Sequence, residues 1–156
     1  MAFPLLLAFR MGFIAGLRSL TAPAAVSIAA QAGWIDLRQT QLAFMGSNIA
    51  CWIFGLLAVG ELIMDKLPFT PSRLTPGPLG GRIVLGGLAG ATLVAASSPS
   101  VVVGAFGGAV GGLVGAFAGY GFRVNAGKIF HLPDFVVALI EDALAIGGAW
   151  LLVSGV

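Results

Sequence analysis

Residues 101–122 read VVVGAFGGAVGGLVGAFAGYGF, an unbroken apolar run of about the 20 residues that an α-helix needs to cross a bilayer. Glycines stand at 104, 108 and 112 in one line at four-residue spacing, and at 107, 111, 115 and 119 in a second line beside it. On a helix both lines fall on one face. In water each such glycine costs a helix roughly 1 kcal/mol against alanine. In lipid no solvent satisfies the backbone, so the helix is the state left to an apolar segment, and a missing side chain lets a neighbouring backbone come close. The run is therefore expected to form a central membrane helix with partners packed on its glycine face.

The whole chain has the same character. Of its 156 residues 58% are hydrophobic and 9% charged, with a mean hydropathy of +1.03, against roughly 25% charged in soluble domains. This is the composition of an integral membrane protein in a single domain, residues 1–156, too short for an added soluble catalytic domain. The net charge of +2 is small and scattered, which argues against nucleic acid as a partner. Cys51 is the single cysteine, so an internal disulfide and a multi-cysteine metal site are excluded. The first residues lack the basic start of a secretory signal, and the N-terminal apolar run is expected to be retained.

Outward from the glycine run, the hydrophobic pattern predicts about five transmembrane helices. Span three, Ile83–Ala96, carries Gly86 and Gly90 at four-residue spacing and is expected to pair with the glycine face. Before it, DKLPFTPSRLTPGPLGGR (65–82) has prolines at 68, 71, 76 and 78, a density that predicts an extended or turning connector. After the glycine run, RVNAGKIFHLPD reads as a short polar loop leading to span five, Phe135–Val153, with Glu141 and Asp142 about two turns inside it. Span one is expected over Met11–Ala30, with Arg18 at depth, Ser19 and Thr21 nearby and a kink or end near Pro23. The stretch QAGWIDLRQTQL (31–42) reads as a short amphipathic piece at the lipid surface with Trp34 in the headgroup belt. Span two, Ala43–Met64, has Ser47 and Asn48 near its start and Glu61 near its end, one turn before Asp65.

Basic residues set the expected orientation. With the N-terminus in the cytoplasm, Arg10, Lys66, Arg73, Arg82, Arg123 and Lys128 lie inside and only Arg38 outside, as the positive-inside rule prefers. Two short words also recur. Gly12–Gly16 followed by Arg18 matches Gly115–Gly119 followed by Arg123, and Leu62–Asp65 matches Leu139–Asp142. Repetition of spans one and two as spans four and five, with one helix between, would make an inverted repeat of the kind found in many secondary transporters.

Nothing in the chain matches GxxxxGK[ST], a strand-borne GxGxxG, GxSxG or HExxH. His131, the only histidine, sits in a predicted loop far from Ser19, so no enzyme activity is expected and no cofactor is implied. What remains is a polar constellation inside lipid: Arg18, Asn48, Glu61, Asp65, Glu141 and Asp142. Intramembrane ionisable groups are rare and mark ion pathways or proton relays. The expected function is thus a small transporter or channel for an ion or small polar solute, with the carboxylates binding a proton or cation and Arg18 as counter-charge. Five short spans leave little interior, which favours a homodimer in contact with membrane lipids. The alternative is a non-transporting scaffold or lipid-binding protein whose buried charges are structural. Whether a metal binds is left open by these residues.

Three blocks, FIAGLRSLTAPA (13–24), ELIMDKLPFTPSRLTPGPLGGR (61–82) and ALIEDALAIGGAW (138–150), together resemble the bacterial membrane proteins grouped as domain of unknown function family 4126. The resemblance covers nearly the whole chain and implies a multi-pass protein of the bacterial inner (cytoplasmic) membrane. It further implies that Arg18, Glu61, Asp65, Lys66, Arg73, Arg82, Glu141 and Asp142 belong to the family pattern. It carries no reaction or substrate.

Overall fold

The structure, a computed structural model, describes residues 2–67, 72–97, 100–131 and 133–155. Among them the chain is all-helical: α1 (Ala2–Leu17), α2 (Thr21–Gln31), α3 (Asn48–Met64), α4 (Pro76–Ala95), α5 (Val101–Phe130) and α6 (Asp134–Ser154), with a 3-10 turn over Ala43–Gly46 before α3. Three of these, α4, nearly all of α5, and α6, are long and apolar enough to cross a membrane, and α1 and α3 are shorter apolar helices.

The two glycine lines of α5 meet two neighbours, and Gly108 and Gly112 touch both, since Cβ atoms at Gly12 and Gly16 of α1 would also strike their carbonyl oxygens. Gly104, Gly108 and Gly112 lie against Gly90, Gly86 and Arg82 of α4, whereas Gly107, Gly111 and Gly115 lie against Leu5, Phe9 and Phe13 of α1. A Cβ at Gly112 would come within 2.5 Å of the Arg82 carbonyl oxygen, and one at Gly90 within 2.6 Å of the Gly104 carbonyl oxygen. Helix backbones touch directly here, so the close packing expected of the glycine face, and its pairing with Gly86 and Gly90, are both present. The register of these contacts sets directions. Residue numbers rise together in α1 and α5, which are parallel, and fall in α4, which runs against them.

The expected span one does not form as one helix. It breaks at Arg18–Leu20 and the chain turns back. Leu20 meets Glu61 and Gln31 meets Asn48, so α2 is antiparallel to α3. Arg18 meets Asp142 and Ile14 meets Gly148, so α1 is antiparallel to α6, while Trp34, beyond the end of α2, stacks edge-on against Trp150 at 5.0 Å. Thus α1 and α2 form a helical hairpin. The physical reason is Pro23. It has no N–H for the carbonyl of Ser19 and its ring would strike that carbonyl, but it fits within the first turn of a new helix. The extra turn replaces a five-helix pattern by six helices and changes the parity of every later helix. As a result α1 and α5, which the supposed inverted repeat would relate by inversion, run parallel and pack on each other; the matching glycine words are contact partners.

Three smaller expectations also shift. Prolines 76 and 78 do not prevent a helix but open α4, because first-turn residues need no intrahelical donor. The RVNAGKIF stretch continues α5 to Phe130 instead of forming a loop, and α6 begins at Asp134. Ile35 and Leu37 are buried with Met45 in the core, so the 31–42 piece folds onto the helices rather than lying flat on lipid, although Trp34 stays exposed. Pro68 and Pro71 of the connector, Ser98 and Pro99 after α4, and Leu132 lie outside the described residues.

Substitution of Gly108 by alanine drives a methyl group into the Gly86 backbone and is expected to lower stability by about 1–3 kcal/mol or more, the range for overpacking. Gly147, whose Cβ would meet open space, is expected to accept alanine with a gain of up to about 1 kcal/mol. Thermal unfolding of both variants in detergent checks the contrast.

Candidate functional site

The hairpin turn places three charged helix ends around one point. Arg18, at the end of α1, is fully buried. Its Nε donates to Asp142 Oδ1 at 2.6 Å, its Nη2 lies 2.6 Å from the same oxygen and 3.7 Å from Glu141 Oε2, and its Nη1 pairs with Asp65. Lys66 Nζ donates to Asp142 Oδ2 at 2.5 Å and to the Leu62 carbonyl at 2.7 Å, which also caps the end of α3. Arg73 makes a two-pronged pair with Glu141, from Nη1 to Oε1 and from Nη2 to Oε2 at 3.0 Å. This fork geometry is the one that guanidinium and carboxylate share.

Glu61 is held differently. It accepts from the backbone N–H of Ser19 at 2.8 Å, the Ser19 hydroxyl at 2.6 Å and the backbone N–H of Leu20 at 2.8 Å, while its nearest cation, Arg82 Nη2, is 3.9 Å away. Its carboxylate thus sits at the N-terminal end of α2, where free N–H groups and the helix dipole favour negative charge. Arg82 donates from Nε to the Gly16 carbonyl at 3.1 Å and from Nη1 to the Pro78 carbonyl at 3.3 Å, so the C-terminal carbonyls of α1 receive a cation.

Four cations (Arg18, Lys66, Arg73, Arg82) face four carboxylates (Glu61, Asp65, Glu141, Asp142), so the cluster is neutral. It takes eight of the chain's fourteen charged side chains. The net +2 is carried by the remainder, Arg10, Arg38, Arg123 and Lys128 against Asp36 and Asp134. Along α5 the cluster lies beside Gly119, about 27 Å from Val101 at 1.5 Å per residue, and so near one side of a hydrocarbon layer about 30 Å thick. Arg123, which pairs with Asp134 at 2.7 Å, marks the polar edge beyond it. By contrast, Asp36 and Arg38 form an exposed pair in the loop at the other end, where the hydrogen bond from Arg38 holds the Asp36 carboxyl down to about 2.

Of the residues expected at the site, Arg18, Glu61, Asp65, Glu141 and Asp142 come together. Asn48 does not: it is at the opposite end of α3, exposed, and accepts from Gln31 Nε2 at 3.0 Å. Charge counting puts Lys66, Arg73 and Arg82 in cytoplasmic loops, yet Arg73 and Arg82 are buried and all three join the cluster. Their signal in the sequence is balance: four carboxylates within or at the ends of apolar runs call for four cations. Gly119 is the other residue that sequence reasoning leaves out. The second glycine line continues to it, and there a Cβ would stand 2.5 Å from Arg73 Nη1 and 2.9 Å from Glu141 Oε1, so the missing side chain makes room for an ion pair rather than a helix. Among the described residues no group of three His, Cys, Asp or Glu side chains converges as a metal site.

Removing one partner of a buried pair leaves the other charge in a low dielectric. Arg73→Gln is expected to cost about 3–5 kcal/mol, and Gly119→Ala to destabilise in the same direction by pushing Arg73 from Glu141. Asp36→Asn, at the exposed pair, is expected to leave the unfolding midpoint unchanged. Scanning fluorimetry in detergent reads all three.

Comparison with known proteins bears on the chain as a whole. No curated protein and no solved structure matches it. A family comparison matches residues 5–154 to the family described as "Domain of unknown function (DUF4126)". The match covers the helical hairpin, the glycine-packed helices and all eight charges of the cluster, and the chain belongs to this family of unknown function.

Proposed function

We propose that this protein is a small membrane transporter or channel for an ion, in which the charge cluster at the α1–α2 break is the exchangeable site and Glu61 is the carboxylate that takes up a proton or cation. The observation that carries this reading is the place of Glu61, held at the start of a half-length helix by neutral donors and only remotely by Arg82. Half-helices with ions at their termini are a recurring plan of secondary transporters, and here the break lies toward one side of the membrane. Asp65, Glu141 and Asp142 each touch a cation directly, so Glu61 has the charge least tied to a partner.

The attachment of α3 supports the same reading. It packs mainly on α2 and the 3-10 turn, and its buried residues are only Ala50 and Ala58. At its other end it is held by Glu61, Asp65 and Lys66. Neutralising Glu61 loosens that end, which links ion uptake to a movement of α3.

Orientation follows from the hairpin. The start of α1 and the 31–42 segment share one end of the bundle, and Lys66, Arg73, Arg123 and Lys128 lie toward the other. The positive-inside rule then puts the cluster end in the cytoplasm of a bacterial inner membrane, as in the five-span reading, and moves only the start of α1 to the outside. Arg10 stands exposed halfway along α1, beside the α5 segment about 15 Å from Val101. An arginine at such depth favours a covered position, and a homodimer contact over α1 supplies one.

The second reading, a structural lock in a scaffold protein, is favoured by one observation: all four carboxylates already have partners. The two readings separate in proteoliposomes on a solid-supported membrane, screened with protons, alkali and divalent cations and small anions. Transport predicts a substrate-dependent current that Glu61→Gln abolishes while the protein stays folded and Arg38→Gln leaves intact. Current retained in Glu61→Gln would sink the assignment of that carboxylate, and silence of the wild type across the panel, in electrical recording and in pH-dye uptake, would leave the lock.

A further inference from the structure

Between α2, α3 and α6 lies an apolar cleft of about 510 Å³, separate from the charge cluster. This is within the roughly 300–1,000 Å³ of small-molecule sites. Trp34, Trp52 and Trp150 stand at one end of it, the middle is lined by residues such as Ile28, Leu56 and Ile146, and Thr21 and Leu62 are at the other end. The cleft exists because α3 is held at its two ends while Gly55 and Ala58, which have little or no side chain, face α2 and α6 between them. The tryptophans mark the level of the lipid headgroups, and Thr21 adjoins the hairpin turn.

Thr21 makes the cleft more than a gap for any acyl chain. It is 7% exposed, and its hydroxyl finds no hydrogen-bond partner among the described residues. A buried hydroxyl without a partner is costly. Rotation about χ1 can carry a threonine hydroxyl into the position its methyl held, and on a helix two rotamers are open to it. The hydroxyl is therefore able to meet a polar group at the inner end of the cleft. That group is neutral, because the Glu61 carboxylate, which already takes the neighbouring N–H groups of Ser19 and Leu20, would repel an anion, and a lining without a charged side chain would bury a cation unpaired. The rest of the lining demands an apolar tail.

We infer that the cleft is a binding site for a neutral single-chain amphiphile, its hydroxyl head on Thr21 and its alkyl tail running between α3 and α6 to the tryptophans. This does not depend on transport by the charge cluster. Cys51, the chain's single cysteine, lines the cleft and reports on occupancy. The protein is reconstituted in phosphatidylcholine vesicles and alkylated with a membrane-permeant maleimide in the presence of cetyl alcohol, hexadecane or palmitate. Cetyl alcohol at about ten times its dissociation constant is expected to slow labelling about tenfold by mass action. Hexadecane and ionised palmitate are expected to protect less. Thr21→Val keeps the shape and should weaken cetyl alcohol about fivefold, the share of one hydrogen bond. Gly55→Leu, whose added side chain enters open space in the cleft, should remove protection while the unfolding midpoint holds. Equal protection by alcohol and alkane, or an unchanged response in Thr21→Val, would overturn the assigned head. Protection that follows protein density and ignores cetyl alcohol would give the cleft to a second copy of the chain and overturn the proposal.

Discussion

A helix that stops inside an apolar layer leaves backbone N–H and C=O groups with no water to bond, and the break at Arg18–Leu20 is where this protein meets that constraint. The α2 end is closed by the Glu61 carboxylate on Ser19 and Leu20, and the α1 end by the Arg82 guanidinium on the Gly16 carbonyl. Each of these ions then needs company of its own. Once two charges are buried to close the turn, low dielectric makes further pairing favourable, and a cluster shares the cost of ordering its side chains among several partners. The hairpin and the cluster are thus two aspects of one arrangement.

Glycine supplies the other half of the architecture. With backbones of α1, α4 and α5 in direct contact, that side of the molecule is closed and rigid. The other side, where α3 leans on α2, is held by two small residues and by charges. One side of the molecule thus rests on backbone contact and the other, at the end of α3, on ion pairs. The apolar cleft lies along the same helix, α3, on its face toward α2 and α6.

Desolvation also distinguishes what the cluster contributes. Eight clustered charges, five of them buried, are not an economical way to hold helices together, since apolar packing of similar volume is often as stable or more so. The glycine-packed helices show that this chain has such packing to hand.

Local chemistry determined much of this from the sequence. The glycine spacing at 104–119 identified the central helix, its packing face and its pairing with Gly86 and Gly90, because four-residue spacing maps onto one side of a helix whatever surrounds it. Arginine and carboxylates within apolar runs named Arg18, Glu61, Asp65, Glu141 and Asp142, because charge in lipid requires partners. Which partner each one meets was decided only by the tertiary structure. Pro23 signals a break but not its angle, and the reversal there changed the number of helices, set α1 parallel to α5 and left Asn48 at the far end of α3. Arg73 and Arg82 read as loop residues because hydropathy sees composition along the chain, whereas their burial depends on the space that Gly119 leaves and on carbonyls exposed by a turn more than fifty residues away.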